Sequence, residues 1–99
     1  MLTTMGDAKG ADELATRLIN EQLAACVNVI GPMKSYYRWD GQCQIDEEYQ
    51  LIIKTRGERM QALSEFLHRH HPYDVPECIH LTSVDASRAY AEWITASVK

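Results

Sequence analysis

The chain has 99 residues, of which 45% are hydrophobic and 24% are charged, and its formal net charge is -4. This length predicts a single domain over residues 1–99, and such a domain buries only about 60–65% of the surface that its unfolded chain exposes. We therefore expect a very regular fold or a subunit interface to supplement the core. The negative charge argues against nucleic-acid binding because phosphate contacts need clustered Lys and Arg. No apolar run approaches the roughly 20 residues that cross a bilayer, so we expect no membrane partner.

The N-terminal residues and the cysteines indicate the compartment. The first five residues predict a short strand, and they lack the basic start and the apolar stretch of a signal peptide. The chain contains three cysteines, an odd number without a C-x-x-C spacing, at Cys26, Cys43 and Cys78. That set is a poor disulfide framework and a poor zinc site. We expect reduced thiols in a cytoplasmic protein, although a thiolate could still bind copper or another soft metal.

A helix is predicted after the first strand. Asp7 is placed to act as its N-cap. The apolar positions that follow recur with the i, i+3, i+4, i+7 spacing of one buried helical face. These positions are Ala11, Leu14, Ala15, Leu18, Ile19 and Leu23.

A long hairpin is predicted next. Alternation from Cys26 to Trp39 indicates a strand, which the pair Gly31-Pro32 interrupts as a bulge or bend. Beyond the bend, one face carries Met33, Ser35, Tyr37 and Trp39. Asp40-Gly41 predicts a type I′ turn, and Tyr49 to Thr55 predicts the returning strand. Each arm is about twice the usual 5–6 residues, so the hairpin should extend past the core of its own subunit.

The second half of the chain predicts a helix, a strand and a last helix. The first of these helices has an apolar face of Met60, Leu63, Phe66, Leu67 and His70, and Pro72 ends it. The strand alternates Ile79, Leu81 and Ser83, and the last helix, from about Ser87, should direct Tyr90, Trp93 and Ile94 inward. The order indicates an α+β fold, a ferredoxin-like βαββαβ sandwich with a long central hairpin and a C-terminal helix.

Four separated motifs carry a family resemblance. They are Ala24-Ala25-Cys26-Val27-Asn28, Ser35-Tyr36-Tyr37-Arg38-Trp39-Asp40-Gly41 with Glu48 and Lys54-Thr55, His71-Pro72-Tyr73-Asp74-Val75-Pro76-Glu77, and Tyr90 with Trp93. In this order the chain resembles the CutA (divalent-cation tolerance) family over essentially its whole length. The resemblance implies a PII-like homotrimer whose long hairpins pair edge to edge between neighbours. It also implies a role in tolerance of divalent cations, copper above all, and direct copper binding is reported for the family. Some relatives have a cysteine in the first strand where this chain has Thr3, which weakens any thiolate copper site there.

Three residues are candidate metal ligands: His71, Cys26 and Glu48. His71 lies in a family motif, in the densest group of imidazoles of the sequence, and neutral imidazole suits copper. The alternative for the neighbouring His68 is a favourable interaction with the helix dipole, and His70 should lie in the core. Cys26 could equally be a small buried apolar residue. Glu48 ends an acidic run that is otherwise expected to be solvated.

Two functions remain open. The first is a non-enzymatic homotrimer that binds copper or another divalent cation, with no organic cofactor. The second is a PII-like sensor that binds an anionic ligand between subunits through Lys54, Tyr73, Glu77 and Trp39. Lys54 could instead form an ion pair, and Trp39 could instead pack against a neighbouring hairpin. Against a sensor, the hairpin turn has no long loop and no Gly-rich phosphate cradle is present. No nucleophile motif is present either, so we expect no enzymatic activity.

Overall fold

A three-stranded antiparallel sheet with strand order β1-β3-β2 organises the protein, as seen in a computed structural model that describes residues 1–82 and 85–99. The elements are β1 (Leu2–Met5), α1 (Ala8–Asn20), β2 (Cys26–Trp39), β3 (Gln42–Lys54), a short 3-10 helix (Gly57–Arg59), α2 (Met60–His70) and α3 (Arg88–Ser97). None of the helices in the described ranges is long and apolar enough to cross a membrane.

Helices α1 and α2 cover one face of the sheet. The predicted N-cap of α1 is confirmed, because the Gly10 N–H donates a hydrogen bond to Asp7 Oδ1 at 2.6 Å. The core consists of apolar side chains from both helices and from β3. Its largest fully buried apolar side chains are Leu18, Leu51, Ile53, Leu63 and Leu67.

The placement of His70 in the core is wrong. Helix α2 ends at His70 as Pro72 predicts, but the His70 side chain is exposed. Its ring packs at 4.5 Å from the ring of Phe66, and its Nδ1 lies 3.5 Å from a guanidinium nitrogen of Arg17. In the last turn of α2, the side of the helix that carries His70 therefore faces solvent.

The long hairpin is confirmed. Strand β2 has 14 residues and β3 has 13, so β3 begins at Gln42, directly after the turn, rather than at Tyr49. Asp40 and Gly41 have φ values of 51° and 73°, which are the two positive values that a type I′ turn requires.

The predicted bulge is confirmed between Ile30 and Met33, and it changes which side chains share a face. Before the bulge Val29 lies opposite Leu51, and after it Met33 lies opposite Glu48. One extra residue in β2 therefore moves its odd-numbered side chains from the helix-covered face to the helix-free face.

The predicted last strand is present only as an isolated bridge in the described part of the chain. Ile79 pairs with Leu2 in antiparallel orientation, with N–H···O distances of 2.8 and 3.1 Å. The bridge lies beside β1, at the edge where a fourth strand of a ferredoxin-like sheet would lie. Leu81 is exposed, and Ser83 lies outside the described residues.

The inward orientation predicted for the last helix is also wrong for its aromatic residues. All residues of α3 are described, and none of them is buried. Tyr90 and Trp93 are 39% and 47% exposed, and their rings contact each other in a tilted arrangement with centroids 5.5 Å apart. The reason is that α1 and α2 already cover the apolar face of the sheet.

Candidate functional site

A cleft with a volume of about 870 Å³ lies on the helix-free face of the sheet. One wall is the half of the hairpin between the bulge and the turn, residues 33–48, which we call the far half. The loop after α2 forms the other wall. The hairpin contributes Met33, Ser35, Tyr37, Trp39, Asp46, Glu48 and Gln50, and the loop contributes residues 73–77. The bulge at Gly31 creates this wall, because it places Met33, Ser35 and Tyr37 on the same face as the carboxylates of β3.

The cleft is acidic. Its lining includes the carboxylates of Asp46, Glu48, Asp74 and Glu77, and among the described residues that line it none is Lys or Arg. A cleft lined by negative charges focuses the negative potential and raises the local concentration of cations. The cleft therefore favours a cationic ligand over an anionic one.

Two phenols hold two of these carboxylates in place. The Tyr73 hydroxyl donates a hydrogen bond to Glu48 Oε2 at 2.9 Å, and the Tyr37 hydroxyl donates one to Asp46 Oδ2. Burial, assisted by the hydrogen bond to Glu48, raises the pKa of Tyr73 to about 12. The hydrogen bond to Asp46 likewise raises the pKa of Tyr37. Both phenols therefore stay protonated near neutral pH and serve as donors to carboxylates.

Glu77 is fixed to the sheet by the side-chain amide of Gln50. The Gln50 Nε2 atom donates to Glu77 Oε2 and to the Thr3 carbonyl, each at 2.8 Å. An amide with both protons engaged has little rotational freedom. The position of Glu77 at the edge of the cleft is consequently set by β3.

His71 attaches the loop to β1. Its Nε2 lies 2.7 Å from the Thr4 carbonyl, and its Nδ1 lies 3.1 Å from the Tyr73 backbone nitrogen. Because a carbonyl only accepts, Nε2 carries the proton and Nδ1 accepts from the Tyr73 N–H. The imidazole is buried and both of its nitrogens are engaged, so His71 positions Tyr73 rather than presenting a free lone pair to the cleft.

The structure does not bring the three predicted metal ligands together. Glu48 lines the cleft, and His71 lies behind Tyr73. Cys26 pairs with Lys54 at the other end of the hairpin, six residues from Glu48 along β3 and thus about 20 Å away. Within residues 1–82 and 85–99, no three His, Cys, Asp or Glu side chains form a group that could hold a metal ion.

Three of the four residues predicted to bind an anion line the cleft, namely Trp39, Tyr73 and Glu77. The fourth, Lys54, which would supply the positive charge, pairs with Cys26 at the end of the hairpin remote from its turn and does not line the cleft. The three residues therefore come together without the positive charge of Lys54, and the carboxylates around them repel an anionic ligand.

Sequence reasoning missed Asp46, Gln50 and Thr4 as members of the cleft. Asp46 belongs to the acidic run before Glu48 for which the sequence predicts only solvation, yet it lies two residues from Glu48 and so shares its face. Period-two alternation along β3, combined with the one-residue shift of the bulge, would have identified Asp46 and Gln50. Thr4 depends on the pairing of β1 with β3, which no local pattern indicates.

These features define a small α+β protein with a three-stranded antiparallel sheet, helices on one face and an acidic cleft on the other. The chain belongs to the CutA1 divalent ion tolerance protein family, whose sequence pattern matches residues 1–97.

Relatives agree with this assignment. The chain is 40% identical over 96 residues to "Protein CutA, chloroplastic" of Arabidopsis thaliana, covering 97% of this chain but 53% of that protein. It is 36% identical over 98 residues to the "Divalent-cation tolerance protein CutA" of Yersinia pestis strain Pestoides F, covering 99% of this chain and 82% of that one. The chain thus spans about half the length of the plant relative. The crystal structure of CutA1 from Oryza sativa superposes with a TM-score of 0.95 at 40% identity, covering 99% of this chain and 90% of that chain.

Proposed function

We propose that this protein binds divalent cations, copper in particular, at its acidic cleft, and that it acts in divalent-cation tolerance without catalysing a reaction. The observation that carries this proposal is the lining of the cleft, with four carboxylates and, among its described residues, no Lys or Arg. The printed name of the Yersinia relative, a divalent-cation tolerance protein, supports the same ligand class.

The donors of the cleft suit a hydrated divalent cation. Asp46 and Glu48 point to the same face from alternate positions of β3, and Glu77 lies at the edge of the cleft, hydrogen-bonded to Gln50 of the same strand. Carboxylate oxygens suit hard divalent cations, and Cu(II) accepts oxygen ligands together with nitrogen ones. A bound cation would compete with the Tyr37 and Tyr73 hydroxyls for carboxylate lone pairs. Since the carboxylates of one chain do not form a closed set of ligands, water or a second copy of the chain must complete the coordination.

The cation proposal is tested by calorimetric titration with Cu(II). We expect Glu48→Gln to weaken binding by about tenfold or more, in line with effects at metal sites. Glu13→Gln, on the exposed surface of α1, changes the net charge equally and should leave the affinity unchanged within about twofold. Equal affinities for wild type and Glu48→Gln would contradict the proposal.

The working form that we propose is a homotrimer. Large apolar side chains are exposed along the far half of the hairpin, where Tyr36 and Ile45 lie opposite each other and are 64% and 57% exposed. Contiguous exposed apolar side chains of this size mark interaction surfaces. Neighbouring copies placed on these surfaces in closed cyclic symmetry would bury them and would bring a second chain to the mouth of the cleft.

Light scattering tests the trimer. Three chains of 11.3 kDa give about 34 kDa, and the mass should not change on dilution. Ile45→Glu, which places a charge within the apolar surface, should shift the mass towards that of one chain. Ile45→Val keeps the surface apolar and should leave the mass at three chains. A wild-type mass of one chain at working concentrations would contradict the proposal.

A further inference from the structure

A second group of ligand atoms lies at the edge of the sheet, away from the acidic cleft. The Cys78 Sγ lies 3.7 Å from the Met1 Sδ and 3.9 Å from the His80 Nε2. We propose that Met1, Cys78 and His80 form a binding site for a soft cation of the Cu(I) class.

The bridge between Leu2 and Ile79 explains why these side chains meet. In an antiparallel bridge at these positions, Met1 lies directly opposite His80. Cys78 and His80 are two residues apart in an extended segment, so their side chains share a face. Two hydrogen bonds, of 2.8 and 3.1 Å, fix the backbone between them. The backbone thus orients three different ligands to the same side of the sheet edge.

The spacing fits metal coordination. With metal–sulfur bonds of about 2.3 Å and metal–nitrogen bonds of about 2.0–2.1 Å, as at zinc sites, two ligands at trigonal or tetrahedral angles lie about 3.6–4.0 Å apart. The measured separations of 3.7 and 3.9 Å fall within that range. The Cys78 thiolate can therefore share an ion with each of its two neighbours at close to the present separations.

The chemistry of the donors selects the ion. A thiolate and a thioether prefer soft ions such as Cu(I), whereas carboxylate oxygens prefer harder ones. On binding, the thiol releases its proton to solvent and a metal–thiolate bond forms. No electron is transferred, because the metal arrives as Cu(I). The choice of copper as the ion rests on the proposed function. The set of three ligands rests only on the contacts described above.

The surroundings provide both support and access. Ser64 of α2 places its Oγ 3.4 Å from the Cys78 Sγ, where its hydroxyl can donate to the thiolate. Met1 is 5% exposed, Cys78 is half-buried and His80 is exposed. The site therefore has a protected sulfur side and an imidazole side that opens to solvent, through which an ion can enter.

The test is an anaerobic titration of the full chain with Cu(I) in competition with a chromophoric chelator. Cys78→Ser should weaken binding by more than about 100-fold, because loss of a ligand exceeds the 10–100-fold effect of an outer partner. Ser64→Ala, which removes such a partner, should weaken binding by about tenfold. Cys43→Ser removes an exposed thiol from the hairpin and should change nothing.

X-ray absorption provides a second measurement that does not depend on how a variant folds. The wild-type Cu(I) complex should show two sulfur ligands and one nitrogen ligand, and exposed His80→Ala should remove the nitrogen. Wild-type affinity in Cys78→Ser, or a spectrum without two sulfur ligands, would overturn the inference. Glu48→Gln should retain Cu(I) binding. A wild type that binds Cu(I) but shows no Cu(II) binding in the cleft would contradict the proposed function alone. A wild type that binds Cu(II) in the cleft but no Cu(I) would contradict this inference alone.

Discussion

The two halves of the hairpin share the same strands but have opposite surroundings. In the half next to the helices, Leu51 and Ile53 are 0% and 2% exposed. In the far half, Tyr36 and Ile45 lie opposite each other across the strands and are 64% and 57% exposed. Apolar alternation alone therefore does not determine burial in this chain. The helices cover only one end of the sheet. The bulge at Gly31 separates the half next to the helices, which stabilises the fold, from the far half, which is exposed and available for binding.

The largest effect should come from truncating a side chain in the covered half. Leu51→Ala should lower the free energy of unfolding by about 2–5 kcal/mol, the usual range for a buried leucine. Ile45→Ala, in the far half, should change the free energy of unfolding of the subunit by less than about 0.5 kcal/mol, as is typical of surface sites.

Chemical denaturation with simultaneous measurement of mass separates these two effects. Ile45→Ala should act mainly on assembly, so its mass should fall on dilution at protein concentrations at which the wild type stays assembled. If Ile45→Ala destabilised the subunit as much as Leu51→Ala, the distinction between the two halves would be wrong.

A smaller effect is expected at the boundary between the halves. A Cβ added at Gly31 would lie 2.7 Å from Tyr49 Cδ2 and 3.0 Å from the Glu48 carbonyl oxygen. Gly31→Ala should therefore destabilise by about 1–3 kcal/mol, as other overpacked sites do.

Gly57→Ala is the matched control for Gly31→Ala, because an added Cβ there meets no atom within 4 Å. It should be neutral or stabilising by up to about 1 kcal/mol. Thermal unfolding followed by circular dichroism measures both variants. Equal melting temperatures would contradict the role assigned to the bulge.

The smallest effect concerns the cleft at high pH. The pKa of Tyr73 is raised to about 12 in the folded state, from an ordinary value of 10.0. The folded protein therefore holds this proton more tightly than the unfolded chain does. The stabilisation is fully present below pH 10 and is lost as pH rises to about 12.

Tyr73→Phe should reduce the loss of stability over this window of pH, since it removes the group that titrates. In Glu48→Gln the pKa of Tyr73 should fall only part of the way to its ordinary value, because burial is the larger cause. Ultraviolet absorbance of tyrosinate follows the titration. A pH dependence in Tyr73→Phe identical to that of the wild type would exclude this linkage.

Local sequence signals predicted much of the fold. The Asp7 cap, the Asp40-Gly41 turn, the bend at Gly31-Pro32 and the end of α2 before Pro72 each depend on the stereochemistry of a few neighbouring residues. Such features are readable because steric and hydrogen-bonding preferences act over one turn of chain.

What sequence reasoning missed depends on tertiary competition. Tyr90 and Trp93 have a pattern typical of a buried helix, but α1 and α2 already occupy the apolar face of the sheet. The cleft joins Glu48 to Tyr73 and Gln50 to Glu77, pairs that are 25 and 27 residues apart in the chain. The contact between Met1 and Cys78 spans 77 residues. No local pattern encodes contacts of this range.

The location of bound metal tests most directly whether the cleft beside the far half of the hairpin is a cation site. We predict that crystals soaked with Cu(II) show an anomalous scattering peak in the cleft, between the carboxylates of β3 and Glu77. The peak should be absent in crystals of Glu48→Gln. An ordered copper peak elsewhere on the subunit, with none between these carboxylates in the wild type, would contradict the assignment of this cleft.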